Sequence, residues 1–224
     1  MFRGHLYGVG VGPGDPELMT LKAVRCLEEC EICFCPGRIP EETVAYQIAV
    51  QAVKSLKDKP LVGLELPMTK DAVRLERSHK KAVETVKAAL AAGKTAVFLA
   101  LGDISLYATF SYLAEPLEAA GYEVTRIPGI PSFIAAAAKG RIALASQDEE
   151  VHIIPATYKK DFPGDYPGTT VYMKAGKKMR QIKEMAEEKT LLFAENIGMK
   201  EEKIEFQKEN MPDAAGYYTL VIKK

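Results

Sequence analysis

Leu6-Tyr7-Gly8-Val9-Gly10-Val11-Gly12-Pro13-Gly14-Asp15-Pro16-Glu17-Leu18 decides the fold class of this chain. Its first half reads as a strand, His5 to Val11, running into a glycine-rich turn, Gly10 to Asp15. Its second half opens a helix expected from about Pro16 to Glu29, with Asp15 as N-cap and Pro16 at the first helical position. Leu18, Leu21, Val24 and Leu27 recur about every three residues and form its expected apolar stripe. Strand, tight turn and helix in this order begin a parallel α/β sheet.

The same alternation continues outward. Glu31 to Cys35 reads as a second strand, stopped by Pro36-Gly37. A helix near Glu41 to Val53, a strand Leu61 to Leu66 and a long helix Asp71 to Ala92 follow, the last capped by Gly93. Thr95 to Leu101 is nearly all apolar, the texture of a central parallel strand. A helix Tyr107 to Ala120 ends at Gly121, and Glu123 to Ile127 is the next strand. Pro128-Gly129-Ile130-Pro131 then breaks the chain. Beyond it lie a short Ala-rich helix, Ser132 to Lys139, and strand candidates His152 to Pro155, Thr169 to Lys174, Leu191 to Ala194 and Tyr217 to Ile222. Thr157 to Gly168 reads as a loop. The expectation is two α/β domains, 1–127 and 128–224, the first with a mainly parallel sheet.

Composition narrows the function. Of 224 residues 47% are hydrophobic and 27% charged, so the chain can bury a core. Thirty basic side chains balance thirty acidic ones, which argues against a nucleic-acid partner. No stretch approaches the roughly 20 apolar residues that span a membrane. The N-terminus runs into a strand with no secretory apolar region, so the cytoplasm is the expected location. Cys26, Cys30, Cys33 and Cys35 crowd together, but their spacings fit no zinc pattern and no His lies close. They read as free thiols, with no metal.

Gly8, Gly10, Gly12 and Gly14 invite a dinucleotide-binding reading, which fails in detail. From Gly8 the third glycine of the fingerprint would fall at Pro13, and the second strand ends Phe34-Cys35-Pro36 with no acidic residue for a ribose. Three further segments end strands in turns. Leu101-Gly102-Asp103-Ile104-Ser105-Leu106-Tyr107 follows the central strand at its carboxyl end, where α/β sheets bind ligands. Pro128 to Phe133 places a stiff turn before a helix with free N–H groups. Thr170 to Gly176 ends a strand of the second half.

In this order and spacing, these segments resemble the tetrapyrrole methylase family along nearly the whole chain. The likeness rests on Gly10 to Asp15 with Thr20-Leu21-Lys22-Ala23, on Gly102 to Tyr107, and on Pro128 to Ser132. It is nearest to the subfamily that methylates C20 of precorrin-2 or cobalt-precorrin-2, through Leu6 to Leu18, Leu66 to Asp71, Leu106 to Leu113 and Met173 to Gly176. Glu195 to Met199 matches more loosely. Ile104, Pro131, His79 and Arg141-Ile142-Ala143-Leu144 depart from the family pattern.

The resemblance implies S-adenosyl-L-methionine as cofactor, held largely by backbone in a cleft between the domains. It implies contacts at Pro13, Leu101, Gly102, Asp103, Leu106, Pro131, Ser132, Met173 and Ile197. It implies a tetrapyrrole substrate, C-methylation in cobalamin biosynthesis, and a homodimer. Methylation of another ring position and a non-catalytic S-adenosylmethionine-binding subunit are the alternatives. No catalytic base is assigned: Asp15, Asp103, Tyr107 and Tyr112 all lie near the expected cleft. Arg38, Lys70, Lys174, Lys177 and Lys178 are candidates for substrate carboxylates. Asp103 has two readings, a contact to the ligand amine or a cap for the following helix.

Overall fold

β1 (His5–Gly10) lies inside a five-stranded sheet of order β3-β2-β4-β1-β5, with β2 (Ile32–Pro36), β3 (Leu61–Leu64), β4 (Ala96–Ala100) and β5 (Glu123–Ile127). Every pairing in it is parallel. The computed structural model describes residues 4–67, 69, 71–158, 166–186 and 189–224. Its chain divides into two units, one ending at Pro131 and one beginning at Ser132. Met68 and the carboxylate-site candidate Lys70 lie outside the described residues, as does 159–165 of the expected loop.

Strand alternation sends side chains to two faces, and each face has its own helices. α1 (Leu21–Glu29) and α2 (Val44–Ala52) bury Leu27, Tyr46 and Ala49 against Val9, Val97 and Leu99. α3 (Ala72–Ala91) and α4 (Ser111–Ala119) bury Val86, Leu90 and Leu117 against Leu6, Phe34 and Phe98. β4 is buried at every position, as its apolar run foretells. The chain leaves β1 toward the first face and β4 toward the second. The carboxyl ends of these neighbours are therefore a switch point, the place where open α/β sheets bind ligands.

The first helix departs from expectation. Asp15 caps only a 3-10 turn, Pro16–Leu18, and α1 restarts at Leu21 with Thr20 as its N-cap. The restart rotates the helix, so Leu27 is buried while Leu21 is 82% exposed. The stripe through Leu21 does not exist. The helix expected from Tyr107 begins only at Ser111, because Tyr107 sits in the left-handed region at φ 52° and ends any helical path there. Asp103 consequently caps no helix. The segment expected as helix from Glu41 to Val53 is a 3-10 turn, Pro40–Glu42, followed by α2, with Thr43 accepting from the Tyr46 amide. Thr95 to Leu101 and Glu123 to Ile127 appear as β4 and β5, the latter with the expected bounds.

The second unit is α/β with a mixed sheet, β6-β7-β10-β8-β9. Its strands are β6 (Val151–Pro155), β7 (Thr169–Met173), β8 (Leu191–Glu195), β9 (Lys203–Glu205) and β10 (Thr219–Lys223). β6 and β7 are parallel, and β10 runs antiparallel between β7 and β8. α5 (Ser132–Lys139) has its expected bounds, and α6 (Met179–Met185) buries Met179 and Ile182 beside Tyr172, Phe193 and Val221. α6 and β9 have no counterpart in the sequence reading. At seven and three residues they are too short to carry a periodic signal.

Cys33 and Cys35 share the first face of the large sheet, buried in its core, and Cys30 is buried at the C-cap of α1 with its thiol donating to the Leu27 carbonyl. Burial pushes the Cys26 and Cys30 thiols up. Hydrogen bonding with Cys35, then burial, does the same for Cys33. Among the described residues no group of three or more His, Cys, Asp or Glu side chains is placed to hold a metal ion, and no helix is long and apolar enough to cross a membrane.

Candidate active site

Three turns leave the carboxyl ends of the neighbouring strands β4, β1 and β5, and backbone hydrogen bonds bind those of β1 and β4 together. The Val11 amide donates to the Ala100 carbonyl at 2.9 Å, prolonging the strand pairing. Gly12 and Gly102 then form an antiparallel bridge, with the Gly102 amide 2.7 Å from the Gly12 carbonyl and the Gly12 amide 3.2 Å from the Gly102 carbonyl. The Gly129 turn sits directly on both. A Cβ at Gly129 would lie 2.2 Å from the Gly102 carbonyl oxygen and 2.7 Å from Gly10 backbone, so only glycine fits this crossing.

Asp103 completes the junction. One carboxylate oxygen accepts from the Gly129 amide at 2.9 Å. The other accepts from the Ser105 amide at 2.8 Å and from the Ser105 hydroxyl. Burial raises the Asp103 pKa, but the hydrogen bonds from Ser105, Gly129 and Ile104 lower it further, and the carboxyl ends below its usual value. The carboxylate therefore fastens the β4 turn to the β5 turn. Ser105 was not singled out by sequence reasoning. The Asp-x-Ser spacing of an Asx turn is the signal that reveals it.

The other expected residues of this unit fall around that junction. Pro13 is buried just beyond the Gly12 bridge, Leu101 and Leu106 are half-buried on either side of Asp103, and Pro131 closes the unit. Ile104, which replaces a family proline, is buried in the second-face core with Phe110 and anchors the turn from below. Gly102 lies at φ +73°, and a Cβ there would meet nothing nearer than the Ile130 carbonyl at 4.0 Å. The space beside its Cα lies at the switch point, while its own N–H and C=O are paired with Gly12.

Of the four acid–base candidates, Asp15 accepts from the Glu17 amide at 2.9 Å and Asp103 is occupied as described. Tyr107 and Tyr112 are exposed, and Tyr112 stacks on His79 of α3 with ring centroids 4.3 Å apart.

In the second unit, Ser132 opens α5, Met173 ends β7 and Ile197 follows β8. β7 and β8 flank β10, so their ends lie along one sheet edge. Lys174 (φ 55°) and Asn196 (φ 53°) turn the chain out of the two strands. The Ala175 amide donates to Thr219 and the Asn196 amide to Tyr218, which fixes both turns to the start of β10. Met173 is half-buried and Ile197 is 3% exposed, so Ile197 can offer a ligand only its backbone. Arg38 and Lys177 are exposed, and Lys178 donates to Gln181 at 3.2 Å.

Residues 5–210 match the family model described as Tetrapyrrole (Corrin/Porphyrin) Methylases. A protein of Methanocaldococcus jannaschii named "Probable cobalt-precorrin-2 C(20)-methyltransferase" is 37% identical over 151 residues, 67% of this chain and 63% of that protein. The chain thus spans less than two thirds of that relative's length. A Sinorhizobium precorrin-2 C(20)-methyltransferase is 28% identical over 98% of this chain and 94% of its own. The solved structure of uroporphyrin-III C-methyltransferase from Thermus thermophilus, complexed with S-adenosylhomocysteine, superposes with a TM-score of 0.67 at 18% identity, covering 98% of this chain and 97% of that one.

Proposed function

Because this chain belongs to the tetrapyrrole methylase family, we propose that it is an S-adenosylmethionine-dependent methyltransferase of cobalamin biosynthesis, acting at C20 of precorrin-2 or cobalt-precorrin-2. The observation that carries the reading is the junction of Gly12, Gly102, Asp103 and Gly129 at the sheet's switch point. The relatives' names direct the choice of substrate.

When bound, S-adenosylmethionine supplies an electrophilic sulfonium methyl group. Pro13, Leu101, Gly102, Asp103, Leu106, Pro131, Ser132, Met173 and Ile197 are the residues assigned to hold it. The chain's own work is positioning and exclusion of water. The bridge to Gly12 and the Asp103 clamp hold the Gly102 turn in a fixed position, with room beside its Cα where a ligand can approach. Leu106 and Met173 supply apolar walls. Asp103 acts through Gly129 and Ser105, and a contact from its carboxylate to the ligand amine would compete with these bonds.

We further place the protein in the cytoplasm as a homodimer. Light scattering at micromolar concentration should give twice the chain mass, and a single-chain mass overturns that part. Calorimetry with S-adenosylhomocysteine should show one site per chain. Incubation with methyl-labelled cofactor and precorrin-2, followed by product NMR, tests the reaction. Label at C20 is expected. Label at another ring carbon moves the protein to another step, and no transfer by a chain that binds the cofactor makes it a binding subunit.

A further inference from the structure

The chain has three histidines. His5 opens β1 at the amino edge of the first sheet, hydrogen-bonded to the Thr125 hydroxyl at 2.8 Å. His152 lies in β6 of the second unit, 2.8 Å from Glu150. His79 alone stands toward the carboxyl side of the first sheet. Near the end of α3, the Leu90 carbonyl accepts from the Gly4 amide at 2.8 Å, which sets that end of the helix level with the start of β1. His79 comes earlier in the helix by about 16 Å, toward the other edge. β1 itself spans about 20 Å. Helical side chains also lean toward their helix N-terminus, which for α3 is the carboxyl edge of the sheet.

Position around the helix aims the ring the same way. His79, Ala82, Val86 and Leu90 share one face of α3, and the last three are buried in the core with Phe34 and Phe98. His79 continues that apolar stripe but is only half-buried, so it stands where the core gives way to the carboxyl edge. Tyr112, the second residue of α4, covers one face of its ring, with centroids 4.3 Å apart and planes 16° from parallel. Tyr112 is rooted in the turn that Asp103 begins. Its amide donates to the Thr109 carbonyl at 3.2 Å, and Phe110 lies against β1, where a Cβ on Gly8 would come within 2.4 Å of its ring. Neither ring nitrogen of His79 is hydrogen-bonded to a described residue, and Met68 and Lys70, the undescribed positions nearest in sequence, carry no carboxylate. Asp15 and Asp103 are engaged, as described above. An imidazole with one face packed and its nitrogens unspent is a proton acceptor held in place.

We propose that His79 is the base that takes the proton released when the substrate carbon is methylated, with Tyr112 as the positioning residue that holds its ring. The assignment deepens the reaction proposed above and rests on it. A ring carbon that bears hydrogen gives its π electrons to the new C–CH3 bond while the S–CH3 bond breaks, that pair staying on sulfur. The C–H bond then breaks, its pair restores conjugation, and the proton passes to an imidazole nitrogen of His79 and on to water. The test uses the full chain with S-adenosylmethionine and precorrin-2. His79→Phe keeps the stack on Tyr112 but removes the acceptor, and should lower kcat about 10²–10⁴-fold. KM and S-adenosylhomocysteine affinity should stay within about twofold of wild type. Added imidazole should raise the rate of His79→Ala at least about tenfold and leave wild type unchanged. Tyr112→Phe also keeps the stack and should stay within about twofold of wild type. A second readout needs no turnover. In chain carrying isotope-labelled histidine, S-adenosylhomocysteine and precorrin-2 together should shift the ring-nitrogen NMR signals of His79 and leave those of His5 in place. An unchanged rate in His79→Phe, unmoved His79 signals, or a loss confined to Tyr112→Phe overturns the base and leaves the reaction standing. A slower His79→Phe with a lower melting temperature, weaker S-adenosylhomocysteine binding and no imidazole rescue in His79→Ala assigns His79 to packing and also overturns it. A wild-type chain that binds S-adenosylhomocysteine but methylates no carbon of precorrin-2 overturns the base and the reaction together.

Discussion

Asp103→Asn exchanges one carboxylate oxygen for an amide that must face a donor, because Gly129 offers an N–H to one side and Ser105 an N–H to the other. We expect the unfolding free energy to fall by about 1–3 kcal/mol and S-adenosylhomocysteine affinity to fall with it. A variant with an unchanged denaturation midpoint and weaker binding would put the carboxylate on the ligand instead. The pH dependence follows from the direction of the shift. The folded pKa is depressed, so this stabilisation is complete above the unfolded value of about 3.9 and is lost as pH falls through the folded one. The gap between wild type and variant should therefore close on the acid side of about pH 4 and stay constant above about pH 5. Gly129→Ala has no comparable subtlety. Its methyl group would meet backbone on both sides, and we expect a loss of at least about 2 kcal/mol in chemical denaturation. The junction was legible only in part. The glycines and Asp103 stand out in the sequence, but the partners of Asp103 are set by a crossing of residues 26 apart, which no local pattern records.

At the scale of elements, α1 shows where periodicity misleads. The spacing of Leu18, Leu21, Val24 and Leu27 satisfies a helical stripe only if one helix runs through Met19 and Thr20. Thr20 instead accepts from the Ala23 amide at 3.2 Å and starts the helix afresh. Leu27→Ala should cost about 2–5 kcal/mol, whereas Leu21→Ala should change stability by under about 0.5 kcal/mol. Denaturant midpoints of the two variants check this directly, and equal losses would restore the continuous stripe. The strands were far more legible. β4 and β5 carry uninterrupted or punctuated patterns that tertiary contacts reinforce, while the turn from Gly102 to Phe110 is held by Asp103, Ile104 and a left-handed Tyr107. Nothing in the helix-forming composition of Leu106 to Leu113 announces those restraints.

For the molecule as a whole, the cysteines offer a gauge of opening. Cys30, Cys33 and Cys35 are buried and Cys26 is half-buried. In native buffer a maleimide should label Cys26 alone, faster as pH rises toward its elevated pKa. Labelling of Cys33 and Cys35, read by mass spectrometry, should appear only across the unfolding transition of the first unit. Their rapid labelling in native buffer would mean that the core around β2 opens on its own. A slower clock is set by the position of β1. This strand hydrogen-bonds to β4 on one side and β5 on the other, so its partners begin at Ala96 and Glu123. During synthesis β1 leaves the ribosome long before either partner exists. At about 5–20 residues per second, the nascent chain carries an unpaired, glycine-rich strand for several seconds or more. Until then the apolar face that Val9 and Val11 will share with Val97 is exposed to whatever else the tunnel mouth holds. Nascent chains stalled before β5 should accordingly recruit holdase chaperones, and release of those chaperones should coincide with emergence of the Gly129 turn.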